Sequence, residues 1–341
     1  MAHYGTHPTI FGNLSDDKLM SMYRSEQWAL LDEGGRQALL QETVNRAAAA
    51  NGEQGACRVE FADLGPATAG VQSGNVIQLD RNRFVHDMAQ QEYNGQVITV
   101  QLFDSNVQAL ETVLHEDIHA WQNQCLDGTI PCAAPKLLEE YQANNFDITV
   151  VQKADGTMDV GQQYLSGESP RGGYYLYYLQ STERDAHKFS EERTLNILSI
   201  LEEKYGKDPS FEQYRDNVSV NGYQATVASA NKCFGTETVE RDINITLKNQ
   251  YFRTNEPVTS KAVEAAVKQE MVESLQASMR NMQDQPVGLE KDLETGPKSG
   301  HENIQNGTET GTTGVTADAP VNNEHIDHDQ SGLSDDFGGI E

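Results

Sequence analysis

Apolar residues recur along this chain with two different periods, and the switch between them divides it into elements. Ser15 precedes a turn rich in acidic residues, with apolar positions at Leu19, Met22 and Tyr23, which predicts an amphipathic helix. Leu39, Leu40 and Val44 share one face of a second predicted helix, about 35–50. The period then falls to two. Cys57, Val59 and Phe61 alternate with polar neighbours, and 76–79 and 97–103 are two more short β-rich runs bounded by Gly or Asn. Together they predict a small sheet of about three strands. Directly afterwards, Asp104 or Ser105 supplies an N-cap, and Val107, Leu110, Leu114, Ile118 and Trp121 follow at steps of three and four. That spacing predicts a long helix.

Alternation returns at Ile148 and Val150 and again at Met158 and Val160, around Asp155-Gly156, so a β-hairpin is expected there. A Gly- and Pro-containing loop, 166–173, leads into a helix over roughly 174–205. After Pro209 three amphipathic helices are expected near 211–232, 237–252 and 260–283. From Pro286 onward the helical period ends, and twelve acidic residues face two lysines. With so little apolar surface to bury, that segment is expected to be disordered. The pattern therefore predicts an α+β chain in three parts: 1–205 with the sheet and the long helix, a helical extension 206–285, and an acidic tail 286–341.

Charge narrows the partners. Of 341 residues, 52 are acidic and 25 basic, a formal charge of -27. Nucleic acids and anionic membranes would repel such a chain, and no run of Lys and Arg offsets this, so neither is expected as a partner. Neutral or basic partners fit better; oligomeric state is not legible. No run approaches the roughly 18 apolar residues of a membrane span. Residues 1–13 have neither the basic nor the apolar region of a secretory signal, so synthesis in the cytoplasm is expected, with signal-independent export left open. Cys57, Cys125, Cys132 and Cys233 form no Cys-x-x-Cys pair and are expected as buried or inert thiols. Cys125 and Cys132 are near enough in sequence to bridge if the protein is exported.

The long helix carries the chemistry. Its residues 115–119 read His115-Glu116-Asp117-Ile118-His119. Side chains four apart lie on one helical face, about 6 Å apart, so both imidazoles can address one divalent cation. Glu116 projects beside them, where it can serve as general base toward a metal-activated water. A catalytic zinc usually takes three protein ligands and a water. The best third ligand lies on the next strong helix: Glu183, in Gln180-Ser-Thr-Glu183-Arg-Asp185-Ala-His187. His187 is the alternative, giving a three-histidine site.

These motifs resemble those of zincins, in the gluzincin subgroup, where a second helix supplies a glutamate after the His-Glu-x-x-His helix. They are particularly similar to small bacterial metallopeptidase-like domains of effectors and mobile elements. In those, a helix ending in His-Ala-Tyr-Gln is followed by Gln-Pro-x-Glu-x-Asp-Ala. The matching residues are His119-Ala-Trp121-Gln122 and Gln180-Ser181-Thr-Glu183-Arg-Asp185-Ala186, with Trp121 at the aromatic position and Ser181 in place of the proline. The resemblance spans roughly 76–190, and the 64 positions from His119 to Glu183 make a long insertion relative to the shortest gluzincins.

The resemblance implies a zincin-like fold, with the small sheet packed on the motif helix, one Zn2+ per chain, and hydrolysis of peptide bonds in a protein or peptide substrate. Asp185 is the expected acid orienting a histidine. An oxyanion donor is sought among Tyr174, Tyr175, Tyr177, Tyr178 and His187, with packing as the ordinary use of the tyrosines. Two other functions compete: a zincin scaffold that binds proteins without turnover, and zinc hydrolysis of a non-peptide bond.

Overall fold

The computed structural model describes residues 4–65, 68–93, 96–132, 134–144, 150–152, 158–160, 170–254 and 260–283. The chain is α+β and mostly helical. It opens with two short helices, α1 (Asp16–Ser21) and α2 (Ser25–Trp28), then α3 (Glu33–Asn51). α3 starts where the Asp32 carboxylate accepts from the Gly35 amide and stops at Gly52, whose φ of 75° closes the helix in the left-handed region.

Strands β1 (Arg58–Ala62), β2 (Gly70–Ser73) and β3 (Val76–Asp80) form one mixed sheet in the order β1-β3-β2. β1 runs parallel to β3, with Arg58 opposite Val76 and Ala62 opposite Asp80. β2 runs antiparallel to β3, with Gly70 opposite Leu79. Gln37 and Gln41 of α3 hydrogen-bond the backbone of β1 at Val59 and Cys57, so that edge is covered by side chains. β2 is the other edge.

A three-stranded sheet was expected, but its third member differs. After the short α4 (Arg81–Phe84), the run at 97–103 becomes β5 (Gln96–Gln101) and pairs only with β4 (Met88–Tyr93), as a separate antiparallel hairpin. β2 takes the expected place. It carries one apolar residue in four and gives little alternation, but the two-residue Gly74-Asn75 turn ahead of β3 was its available signal.

Helix α5 (Ser105–Leu126) begins after Asp104, as expected, and is the axis of the fold. It packs on α3, on β2 and β3, and on three of the next four helices, α6 (Pro135–Asn144), α7 (Pro170–Leu179), α8 (Ser181–Tyr205) and α9 (Pro209–Asn221): α8 is its most extensive helical neighbour, and α7 packs on α8 instead. Leu110, Val113, Leu114 and Ala120 join Leu39, Leu40, Val59, Ile77 and Leu79 in the main core. Val107 instead packs with Leu198, Leu201, Phe211 and Tyr214. Its start is pinned by Asp87, which accepts from the Ser105 hydroxyl at 2.6 Å and pairs with the buried Arg36 at 2.7 Å.

The 148–160 hairpin is present as β6 (Val150–Gln152) against β7 (Met158–Val160); its Asp155-Gly156 turn lies outside the described residues, as does 166–169 of the expected loop, whose remainder, 170–173, is instead the first turn of α7. The helix expected over 174–205 is two, α7 and α8, divided at Gln180, whose ψ of 149° interrupts the helical hydrogen bonding. The helix expected over 211–232 is likewise two, α9 and α10 (Tyr223–Phe234), divided at Gly222. α11 (Val239–Thr254) and α12 (Ser260–Gln283) follow. α6 had not been expected.

Leu176, Tyr177, Tyr178 and Leu179 of α7 share a core with Tyr223, Phe234, Val239, Ile243, Leu247, Val263 and Val267. The chain to Glu273 belongs to one compact unit; of a second, beginning at Ser274, only the end of α12 is described. The acidic segment from 286 lies outside the described residues. Among those described, no helix is long and apolar enough to cross a membrane. Cys57 and Cys125 are buried, Cys132 is half-buried and Cys233 exposed. Burial, with Cys132 beside it, pushes the Cys125 thiol up to about 12, which disfavours the reactive thiolate.

Candidate metal centre

Two helices converge on one cluster. α5 presents His115 and His119 one turn apart, and α8 presents Glu183 in its first turn. The Nε2 atoms of the two imidazoles are 3.0 Å apart. Glu183 Oε2 lies 3.4 Å from His115 Nε2, and Oε1 lies 3.3 Å from His119 Nε2. A tetrahedral metal with ligand bonds of about 2.0–2.1 Å separates its ligand atoms by about 3.3 Å. The two imidazole nitrogens and the two Glu183 oxygens, at 3.0, 3.4 and 3.3 Å, therefore stand close to the spacing such an ion imposes.

The location of Glu183 has a local cause. Ser181 occupies the first helical position of α8, the position proline favours in the resembling sequences. Glu183 is then in the opening turn, where exposed amides and the helix dipole favour a negative charge. Burial would raise its carboxyl, but the charge of His119 and hydrogen bonds with His115 and His119 outweigh this and hold it well below the usual carboxylate range. Burial, opposed by the Glu183 hydrogen bond, pushes His115 below its ordinary value. An ionised Glu183 and a His115 that resists protonation are the states in which these two side chains can bind a divalent cation.

His187 is also at the cluster. Its Nε2 lies 3.9 Å from Glu183 Oε2, and its ring centroid is 4.4 Å from that of His115. His115, Glu183 and His187 offer ligand atoms all within 4.8 Å of one another. Two triads thus overlap, and the tighter one contains His119. Burial, with His115 adding to it, keeps His187 well below its ordinary pKa. Its ring lies flat on Tyr178 at 4.0 Å, and Tyr178 is buried with Tyr177 in the core of α7 and its neighbours. Tyr174 and Tyr175 are partly buried and pack against that core.

Glu116 is 6 % exposed and lies against the edge strand β2. A Cβ on Gly70 would come within 3.0 Å of Glu116 Oε1 and 2.7 Å of Thr112 Cγ2. Gly70 has an ordinary φ, so its missing side chain serves this close approach and not a backbone turn.

Asp185 is placed elsewhere than expected. Its Oδ2 accepts from Tyr141 Oη at 2.8 Å and its Oδ1 from Arg184 Nε at 2.8 Å. It anchors α6 to α8, with Trp121 packed edge-on against Tyr141 at 6.2 Å. The side chain that meets a site histidine is Gln122, whose Oε1 lies 2.8 Å from His119 Nδ1. Sequence reading quoted Gln122 without a role; its spacing of three from His119 was the available signal.

Compared with known proteins, the chain matches no family model, no curated protein and no solved structure.

Proposed function

We propose that this chain is a zinc-dependent peptidase of the zincin type, with one zinc held by His115, His119 and Glu183 and with Glu116 as general base. The observation that carries this reading is the meeting of two imidazole Nε2 atoms, 3.0 Å apart, with the two oxygens of one carboxylate, 3.4 and 3.3 Å away, on a helix that also carries the buried Glu116. A motif helix laid against a small sheet and crossed by a second helix bearing the glutamate agrees with a zincin-like architecture. Zinc, when bound, supplies Lewis acidity that brings the pKa of a water to about 7 and polarises a carbonyl. Glu116 takes the proton of the attacking water and delivers it to the leaving amine. His187, whose Nε2 lies 3.9 Å from Glu183 Oε2, is the donor assigned to an oxyanion. The overall charge of -27 favours neutral or basic protein substrates.

A second reading rests on His187. If it closes the coordination as a fourth protein ligand, no position remains for water, and the chain is a zinc-stabilised binding module. Metal analysis of the purified protein, with a proteome-wide cleavage screen of the parent against Glu116→Gln, separates the two. The peptidase binds about one zinc per chain in both forms and cleaves only as the parent. Equal cleavage by both forms would reject Glu116 as the base. Zinc in both with cleavage in neither, together with loss of the metal from His187→Ala, would establish the closed site.

A further inference from the structure

We propose that Gln122 is a positioning residue that sets the tautomer of His119 and ties it to the helix bearing Glu183. The inference rests on the metal-centre reading above. Gln122 is 1 % exposed and uses both ends of its amide. Its Nε2 donates to the Thr182 carbonyl at 2.9 Å, one residue before Glu183. A carbonyl can only accept, so this bond fixes which end of the amide is which. The oxygen must then face His119, 2.8 Å from Nδ1, and the ring must donate Nδ1–H to it. In the neutral ring that a metal ligand must be, the lone pair is then at Nε2, the atom that faces His115 Nε2 and Glu183 Oε1.

One neutral side chain thus does two jobs. It turns His119 into a ligand at the correct nitrogen, and it couples that ring to the turn that carries the third ligand. Orienting partners of metal-bound histidines are often carboxylates. Here Asp185 is engaged by Tyr141 and Arg184, and an amide orients the ring without adding charge beside Glu183 and Glu116.

Two variants of the full chain separate the jobs. Gln122→Glu keeps an acceptor for His119 and loses the donor to Thr182; Gln122→Leu loses both. In long-range 1H–15N spectra of the metal-free protein, the parent and Gln122→Glu should hold His119 as the Nδ1–H tautomer, and Gln122→Leu should show a mixture. With zinc alone as probe, in competition with a chelator, Gln122→Leu should bind 10- to 100-fold more weakly and Gln122→Glu within a few-fold of the parent.

A parent in the Nε2–H form overturns the proposal, whether or not either variant folds. So does a loss of affinity that is equal in the two variants and follows their melting temperatures, because Gln122 would then be only a link between helices. A parent that binds no zinc but shows the Nδ1–H tautomer refutes the metal reading and leaves the tautomer assignment standing.

Discussion

The tightest contact at the site gives the sharpest test of its geometry. In Gly70→Ala the new methyl meets Thr112 Cγ2 at 2.7 Å, Glu116 Oε1 at 3.0 Å and Glu116 Cγ at 3.1 Å. Thr112 is β-branched within a helix and has little freedom to turn its methyl away. Overpacking of this kind costs about 1–3 kcal/mol. Against it stands a gain of about 0.4–1 kcal/mol, because alanine restricts the unfolded chain and the strand conformation at residue 70 tolerates it. The balance is a loss of about 1–2 kcal/mol. Thr112→Ser deletes the atom met first, so the double variant should recover most of the loss. Urea unfolding of the parent, both single variants and the double gives the coupling, expected near 1 kcal/mol and favourable. Additive effects, or a Gly70→Ala protein as stable as the parent, would refute the claim that β2 lies directly on α5 at this point. Since Glu116 is also displaced, cleavage should fall in Gly70→Ala by more than the loss of folded protein explains.

Three further outcomes are expected. Glu183→Ala should bind zinc markedly more weakly than the parent in chelator competition, and unchanged metal content after dialysis would move the third ligand elsewhere. Asp87→Ala leaves the buried Arg36 without its carboxylate, with only the Phe84 and Val85 carbonyls to accept from it, and removes the Ser105 bond at the start of α5, a loss of about 3 kcal/mol. Asp87→Asn, which tolerates the φ of 55° at this position, should cost less in the same denaturation assay. Burial pushes the Glu111 carboxyl up to about 7, opposed by Tyr214 and aided by the nearby Glu191 and Asp104. The folded state therefore holds this proton more tightly than the unfolded one, and its contribution is complete below about pH 4.5 and lost as pH rises through about 7. Melting temperature should decline between pH 5 and 8 in the parent and less steeply in Glu111→Gln; equal slopes would assign the effect to other groups.

Several features were legible from local pattern alone. A period of 3.6 residues marked α3, α5 and α12, and a period of two marked β1 and β3. The break at Gln180 was not, because Leu176, Leu179 and Ala186 keep apolar spacing across it and only the backbone turn at one residue separates the helices. Tyr141 lies on a helix the pattern did not predict, and its bond to Asp185 spans 44 positions, beyond the reach of any local signal.

By itself, the sequence determined that His115, Glu116 and His119 share one turn, because helical hydrogen bonds act over four residues and need no partner. It also singled out Glu183 as a candidate third ligand. Only the tertiary structure decided that Glu183 stands across from those imidazoles and that Gln122, not Asp185, faces His119. It also brought Gly70 against Glu116. The reason is physical: which side chains meet across two helices depends on the angle and register of their crossing, and those are set by the packing of whole faces from distant parts of the chain.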